Sequence, residues 1–168
     1  LSKGEEKRKK FAEQFQLPEY QDIDKLLQNV DAVHIFQSPE KNYKLIKKCL
    51  LAGCHVMCKS PMFLKKEEAH GLYQLASERR LILMEGIKSL YFPAFEHMEL
   101  LINSGEIGNI RDIDLSCSQI PSDMALLEKD QFRGAIYDWG ATAVVPIIKL
   151  LGTNYKKHME NVLDYQEK

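Results

Sequence analysis

The sequence predicts an α/β protein with a Rossmann-like, doubly wound parallel sheet, because short apolar strands alternate with amphipathic helices. Ala32–Phe36 and His55–Cys58 are short, largely apolar runs, as expected for strands that are covered on both faces. A helical run that ends at Gly53 separates them, and a helix over Glu67–Arg80 leads to a third strand over Leu81–Met84. Strands that alternate with helices of this length indicate a parallel sheet.

The helices around these strands have identifiable start residues. Gly4–Phe15 is a charged helix with apolar residues at helical spacing, and Asp22 or Asp24 is a suitable N-cap for the short helix that follows. Ser38 and Pro39 together predict a further helix, with Ser38 as its N-cap and Pro39 at its first position.

After the third strand the pattern changes, and we predict one domain over residues 1–88 and a second, partial domain over residues 89–168. Pro93–Ser104 is an amphipathic helix, and Ile110–Ile120 alternates like a strand with one face in water. After a predicted loop, Gly134–Leu151 is a strongly apolar run that forms a helix, or a strand followed by a helix.

Composition and charge exclude several classes of protein. The chain has 168 residues, 45% of them hydrophobic, and a net charge of −1, so nothing favours nucleic acid or an anionic membrane as a partner. No apolar run approaches the ~20 residues of a membrane helix. The cysteines lack the spacing of a metal site, and we expect free thiols in a cytoplasmic protein without a bound metal. They are Cys49, Cys54, Cys58 and Cys117.

Six short motifs, taken in order, resemble those of one enzyme family. They occupy residues 30–35, 52–61, 82–86, 93–95, 105–110 and 134–140. Their order and spacing resemble the Gfo/Idh/MocA oxidoreductases, which include glucose–fructose oxidoreductase and inositol dehydrogenase. The resemblance implies an N-terminal Rossmann domain that binds NAD or NADP. It also implies a C-terminal α+β domain with an open sheet, which presents the substrate and often carries the dimer contact.

The resemblance further implies a reaction and a longer chain. The usual reaction of the family is hydride transfer between the nicotinamide and a carbinol or carbonyl group of a sugar, inositol or related polyol. The family's glycine-rich phosphate loop would precede Leu1, so we expect the first βαβ unit to be missing from this chain. We also expect further residues after Gly152 that complete the second sheet.

Lys59-Ser60-Pro61 stands where the family has Glu-Lys-Pro, whose lysine normally hydrogen-bonds the reacting oxygen. Ser60 takes the place of that lysine and Lys59 the place of the glutamate. A serine hydroxyl donates a hydrogen bond but is a poor proton source near neutral pH. Lys59 and Ser60 are therefore candidates for chemistry, for cofactor contact or for a turn alone. Pro61 is structural in each case, and in the family this proline often follows a cis bond.

Asp138 and Thr142 align with an aspartate and a histidine that face the substrate in the family. Thr142 cannot cycle a proton near pH 7 as a histidine does. Asp138 either faces the substrate or is the N-cap of the apolar helix. Lys88, just past the third strand, is our candidate substitute for the missing lysine, and the alternative is a solvated side chain.

Residues that follow the first and third strands are candidate cofactor contacts. In the family, the loop after the first of these strands packs on the ribose and adenine side of the cofactor, and the residue at Glu85 lies near the nicotinamide. No carboxylate stands beside Lys3 to bind the ribose hydroxyls, which favours NADP over NAD, against the alternative of a plain helix start. The candidate cofactor-binding residues are Phe36, Gln37, Ser38, Pro39, Lys59, Ser60, Pro61 and Glu85.

Three hypotheses for function stay open. The first is an NAD(P)-dependent oxidoreductase of a sugar, inositol or related polyol, a homo-oligomer that acts through Lys88 or Lys59 when the chain is complete. The second is a degenerate relative that binds a dinucleotide or a sugar without turnover, because the family's lysine and histidine are both replaced. The third is an inactive fragment with an exposed sheet edge.

Overall fold

The computed structural model describes residues 4–118 and 135–154, together with residues 156, 157 and 159. These residues fall into two compact units, which divide between Gly86 and Ile87. The first unit is built on a parallel sheet, and the elements described in the second unit are helical.

The first unit is a three-stranded parallel sheet with the order β1-β2-β3. The predicted alternation of strands with helices and the Rossmann-like parallel sheet are confirmed. Its elements are α1 (Glu5–Phe15), α2 (Ile23–Leu27), β1 (Ala32–Ile35), a 3₁₀ turn (Pro39–Lys41), α3 (Asn42–Leu51), β2 (His55–Lys59), α4 (Lys66–Glu78) and β3 (Leu83–Gly86).

The core of this unit lies between the sheet and the helices α3 and α4, which also pack on each other. Successive side chains of a strand point to opposite faces, so Val56 and Cys58 are buried while Met57 between them is half-buried. The helices contribute residues at helical spacing to the same core. Its members include Ile35, Ile46, Cys49, Leu50, Val56, Leu72, Ala76 and Leu83.

Several helix starts and stops lie at the predicted residues. Asp22 caps α2, since its Oδ1 accepts a hydrogen bond from the Asp24 N–H at 2.8 Å. Gly53 and Gly105 follow α3 and α5 (Pro93–Ser104) with φ angles of 87° and 80°, which glycine adopts without strain.

Ser38 and Pro39 stand at the N-cap and first positions as predicted, but of the 3₁₀ turn that precedes α3. The Ser38 side chain makes no capping hydrogen bond. The 3₁₀ turn intervenes instead, and the Lys41 N–H donates to the backbone carbonyl of Ser38 at 3.1 Å. Helix α3 therefore begins only at Asn42.

Strand β3 starts two residues later than predicted. Its register is set by β2, because Leu83 pairs with Val56 and Gly86 with Lys59. The Leu81 N–H instead donates to the Ala76 carbonyl at 2.8 Å and so still belongs to the end of α4.

The second unit contains a 3₁₀ turn (Lys88–Tyr91), α5 and α6 (Ala135–Leu151). The apolar run is thus a helix, one of the two predicted alternatives. Lys149 of α6 joins the two helices, because its Nζ lies 2.6 Å from Oε2 of Glu99 and 5.2 Å from the ring centre of Phe95 on α5.

The strand predicted over Ile110–Ile120 is not formed by residues 110–118. Alternation makes a segment compatible with a strand, but a strand also needs a hydrogen-bonded neighbour. No neighbouring strand for this segment occurs in the part of the chain that the structure describes. The last two residues of the predicted strand, and the loop predicted after it, lie outside the described residues.

All four cysteines are free thiols, as predicted, and three of them are buried. No helix in the described ranges is long and apolar enough to cross a membrane.

The core predicts a contrast between two apolar residues of α3. Ile46 is fully buried, whereas Leu51 is 49% exposed. We expect Ile46→Ala to lower the free energy of unfolding by about 2–5 kcal/mol, because it leaves a cavity. The matched control Leu51→Ala should cost less than about 1 kcal/mol. Urea unfolding measures both, and equal losses would contradict this core.

Candidate functional site at the carboxyl ends of the strands

The carboxyl ends of the three strands meet at one edge of the sheet. In the parallel register, Ile35 at the end of β1 lies beside Cys58, and Cys58 lies beside Glu85. The segments that follow β1 and β2 therefore leave the sheet at this edge, next to the end of β3. Open parallel sheets bind their ligands at this edge.

The segment after β2 carries the replaced motif. Lys59 is the last residue of the strand and is exposed, while Ser60 and Pro61 are half-buried. The Ser60–Pro61 peptide bond is cis, as the resemblance implied. Because side chains alternate along a strand, Lys59 lies on the face opposite the buried Cys58. The structure thus presents the Lys59 ammonium to solvent at the end of the strand.

The segment after β1 combines an exposed ring with polar groups. Phe36 is 67% exposed, and its ring centre lies 4.1 Å from that of His34. Gln37 is exposed, and Ser38 and Pro39 are half-buried. An aromatic surface beside an amide and a hydroxyl suits a ligand that has both flat rings and hydroxyl groups.

Glu85 connects the end of β3 to the segment after β2. Its carboxylate Oε1 accepts a hydrogen bond from the Met62 N–H at 3.0 Å, and the side chain is half-buried. This contact lies between residues 23 positions apart in the chain. Contact of Glu85 with a cofactor stays a prediction.

The charge of Glu85 acts on two neighbouring side chains. Burial, and to a smaller extent the nearby Glu85 carboxylate, together raise the pKa of the Cys58 thiol to about 12. Burial, and then the same carboxylate, also raise the pKa of Tyr73. Cys58 is therefore a neutral thiol at physiological pH, unsuited to act as a nucleophile.

The candidate residues of the second unit lie on two of its elements. Lys88 is exposed and begins the 3₁₀ turn. Asp138 is exposed and Thr142 is half-buried, and their spacing of four residues places them on one side of α6. Asp138 is not the N-cap of α6, because the helix already begins at Ala135. Its carboxylate lies in the first turn, where the helix dipole favours negative charge.

The residues at the sheet edge fit part of a dinucleotide and offer no metal site. Phe36, Gln37, Lys59 and Ser60 supply a ring face, an amide, a cation and a hydroxyl, the groups that a nicotinamide ribose needs. Residues 4–118 contain no glycine-rich phosphate loop. Within the described ranges, no group of three His, Cys, Asp or Glu side chains could hold a metal ion.

Residues 1–87 match the family model of the Gfo/Idh/MocA oxidoreductases, described as an oxidoreductase family with an NAD-binding Rossmann fold. The chain belongs to this family. The earlier resemblance is thereby confirmed, and so are the Rossmann-like fold and the nicotinamide dinucleotide as the cofactor type of the family.

Curated relatives extend the similarity beyond the first unit. Trans-1,2-dihydrobenzene-1,2-diol dehydrogenase from Mus musculus is 28% identical over 159 residues, which cover 90% of this chain and 46% of that protein. A dTDP-3,4-didehydro-2,6-dideoxy-alpha-D-glucose 3-reductase from Actinomadura kijaniata is 29% identical over 136 residues, 79% of this chain and 41% of the relative. The chain thus spans less than half the length of these relatives.

Solved structures show the same similarity. A 3-ketoreductase from Actinomadura kijaniata, as a mutant in complex with TDP-benzene and NADP, matches with a TM-score of 0.58 at 30% identity, covering 66% of this chain and 36% of that one. A UDP-N-acetylglucosamine 3-dehydrogenase from Acidithiobacillus ferrooxidans matches with a TM-score of 0.56 at 28% identity, covering 58% and 32%. Both are oxidoreductases by name, and the first is in complex with NADP.

The structure also reveals a residue that the sequence analysis missed. Asn42 is fully buried at the start of α3, and its Nδ2 donates a hydrogen bond to the Met62 carbonyl at 3.0 Å. A signal was present, since Asn42 lies four residues before Ile46 and so falls on the apolar face of the helix. A polar residue at such a position needs a buried partner.

The raised pKa of Cys58 predicts a loss of stability in alkali. An unfolded thiol titrates near 9, so unfolded chains release this proton before folded ones do as the pH rises. The stabilising contribution is therefore present below pH 9 and is lost between pH 9 and about 12. Cys58 contributes about 1.4 kcal/mol per pH unit to this slope, and Cys49, whose pKa burial raises to about 11, adds to it.

Urea unfolding at several pH values tests this slope. Cys58→Ala should lower stability at neutral pH and make the alkaline loss less steep, because it removes one of the buried thiols whose pKa is raised. The control Cys117→Ala, which removes a thiol outside the core, should keep the slope of the unsubstituted protein. A slope that Cys58→Ala leaves unchanged would contradict the prediction.

Proposed function

We propose that this chain belongs to an NAD(P)-dependent oxidoreductase that transfers a hydride between the nicotinamide and a carbinol or carbonyl group of a sugar or related polyol. The observation that carries the proposal is the family match over residues 1–87, together with the polar segments at the carboxyl edge of the sheet. When bound, the nicotinamide supplies or accepts the hydride. This chain's residues would bind and orient the reactants and handle the proton.

Two segments would divide this work. Phe36, Gln37 and Ser38 would contact the cofactor on its ribose side, where an aromatic face and hydrogen-bonding groups are useful. Lys59 is exposed at the end of β2, and its ammonium can stabilise negative charge that develops on the substrate oxygen. Ser60 can add a hydrogen bond to the same oxygen, but it is a poor proton donor.

Lys88 and Asp138 are the candidates from the second unit. Lys88 would replace the family's lysine as the group that hydrogen-bonds the reacting oxygen, and Asp138 would face the substrate. Thr142 stands in place of a histidine and can contribute only a hydrogen bond.

The relatives support a substrate with an alcohol or ketone on a ring. Their names describe a dTDP-sugar 3-reductase, a UDP-sugar 3-dehydrogenase and a dihydrodiol dehydrogenase. Each name indicates oxidation or reduction at a ring carbon that bears oxygen. The neighbour in complex with NADP agrees with our preference for NADP, whereas Lys3, from which that preference came, lies outside the described residues.

A second candidate is a relative that binds the dinucleotide or the sugar without turnover. Ser60 and Thr142, which replace the lysine and the histidine of the family motifs, favour it. A homo-oligomeric state and a cytoplasmic location stay predictions for either candidate.

Cofactor binding and turnover by the full-length natural protein test the proposal. NADH and NADPH fluorescence titrations should give saturable binding, with turnover on a panel of nucleotide sugars and polyols. Lys59→Met should reduce kcat/KM by about tenfold or more, because it removes the cation at the strand end. Lys65→Met, which removes an exposed lysine beyond this segment, is the charge-matched control.

Two further variants separate the candidate functions. If the protein binds the cofactor without turnover, Ser60→Lys with Thr142→His should create turnover, because they restore both proton-handling groups. Failure to bind either dinucleotide would refute the oxidoreductase, and failure to bind any sugar of the panel as well would refute the second candidate. Equal effects of Lys59→Met and Lys65→Met would remove Lys59 from the mechanism.

A further inference from the structure

Met62 is held at both ends of its backbone by side chains from other elements. Its N–H donates to Oε1 of Glu85 at 3.0 Å, and its carbonyl accepts from Nδ2 of Asn42 at 3.0 Å. Glu85 lies in β3 and Asn42 begins α3. The segment that follows β2 is therefore hydrogen-bonded to a side chain of β3 and to a side chain of α3. Met62 itself is 1% exposed.

The backbone around Met62 has no comparable support of its own. Residues 60–65 form neither helix nor strand. Outside helices and strands, no backbone–backbone hydrogen bond in the described part of the chain involves residues 60–64. The two side-chain hydrogen bonds therefore restrain the Met62 backbone in place of the backbone–backbone hydrogen bonds of a sheet.

Asn42 is a costly residue to place at this position. It is fully buried, among apolar neighbours of the helix, and its Oδ1 has no partner among the described residues. An unsatisfied buried acceptor costs about 1–3 kcal/mol. A leucine would fill similar space without this cost, so core packing alone does not account for the amide.

Glu85 is a second unusual choice. Its half-buried carboxylate forms no ion pair with another described residue, and it accepts a hydrogen bond from the Met62 N–H. A hydrogen bond from a backbone N–H to a carboxylate is charge-assisted and stronger than a neutral one. The Glu85 carboxylate thus orients the peptide group of Met62.

We infer that Asn42 and Glu85 are positioning residues that act through Met62 to set the geometry of the Lys59–Ser60 segment. Met62 lies two residues after Ser60 and three after Lys59. A shift of the Met62 backbone therefore displaces both of these side chains. The effect on catalysis rests on the proposed function, whereas the effect on the geometry of the segment does not.

Two substitutions in the full-length protein test this inference. Glu85→Leu removes the acceptor, and Asn42→Leu removes the donor while keeping the bulk. Hydrogen exchange should show the Met62 amide exchanging about tenfold or more faster in Glu85→Leu. In both variants, the ratio of Lys59 acylation to Lys65 acylation by an N-hydroxysuccinimide ester should change. Where turnover is measurable, kcat should fall about tenfold with a smaller change in the KM for the dinucleotide.

Controls separate positioning from general stability. Ile46→Ala destabilises the same helix without removing either hydrogen bond to Met62, so its Lys59:Lys65 acylation ratio should equal that of the unsubstituted protein. Glu85→Gln keeps an acceptor oxygen and should recover part of the Met62 protection that Glu85→Leu loses. Asn42→Leu should disturb Lys59 even if it raises the stability of the fold.

The outcomes that overturn the inference are specific. An unchanged acylation ratio in both Asn42→Leu and Glu85→Leu would refute it, as would a ratio that Ile46→Ala shifts equally. If the unsubstituted protein binds no dinucleotide, the proposed function fails. The exchange and acylation results then still decide the positioning inference by themselves.

Discussion

The parallel alignment of three short strands is the constraint on which the first unit depends. Because β1, β2 and β3 run in the same direction, their carboxyl ends share one edge, with Cys58 between Ile35 and Glu85. Every candidate residue of this unit is placed by that alignment. Helices α3 and α4 supply the burial that stabilises it, since a sheet of three short strands needs a covered face.

Most of this fold could be predicted from the sequence, because its strands are short apolar runs and its helices have an apolar face. Start and stop residues were also local signals, as Asp22 and Gly53 illustrate. The start of β3 could not be predicted, because it depends on the pairing of Leu83 with Val56, which lies 27 residues earlier in the chain. Ser38 stands at the predicted N-cap position, but the element that begins there is a 3₁₀ turn and α3 starts only at Asn42. Residues 110–118 show that alternation alone makes no strand.

The position of the candidate site could be predicted from the sequence, but the hydrogen bonds that hold its backbone could not. Strand ends locate Phe36 and Lys59, since any parallel sheet brings such residues to one edge. The contacts of Met62 with Asn42 and Glu85 join residues 20 and 23 positions apart. No periodicity links such residues, and only the folded arrangement of three elements brings them together. A polar residue on an apolar helix face was the one available sign.

In the segment after β2, the contacts that hold the backbone are different from the side chains to which the family assigns chemistry. Met62 is fixed from two sides, and the Ser60–Pro61 bond is cis, as the resemblance implied. What differs is the identity of two side chains, since the exposed Lys59 and the half-buried Ser60 stand in place of glutamate and lysine. The backbone hydrogen bonds to Met62 do not depend on which side chains precede it. The proton-handling groups at this edge could therefore change while the backbone that presents them stayed the same, which makes a cation displaced by one residue compatible with a retained binding edge.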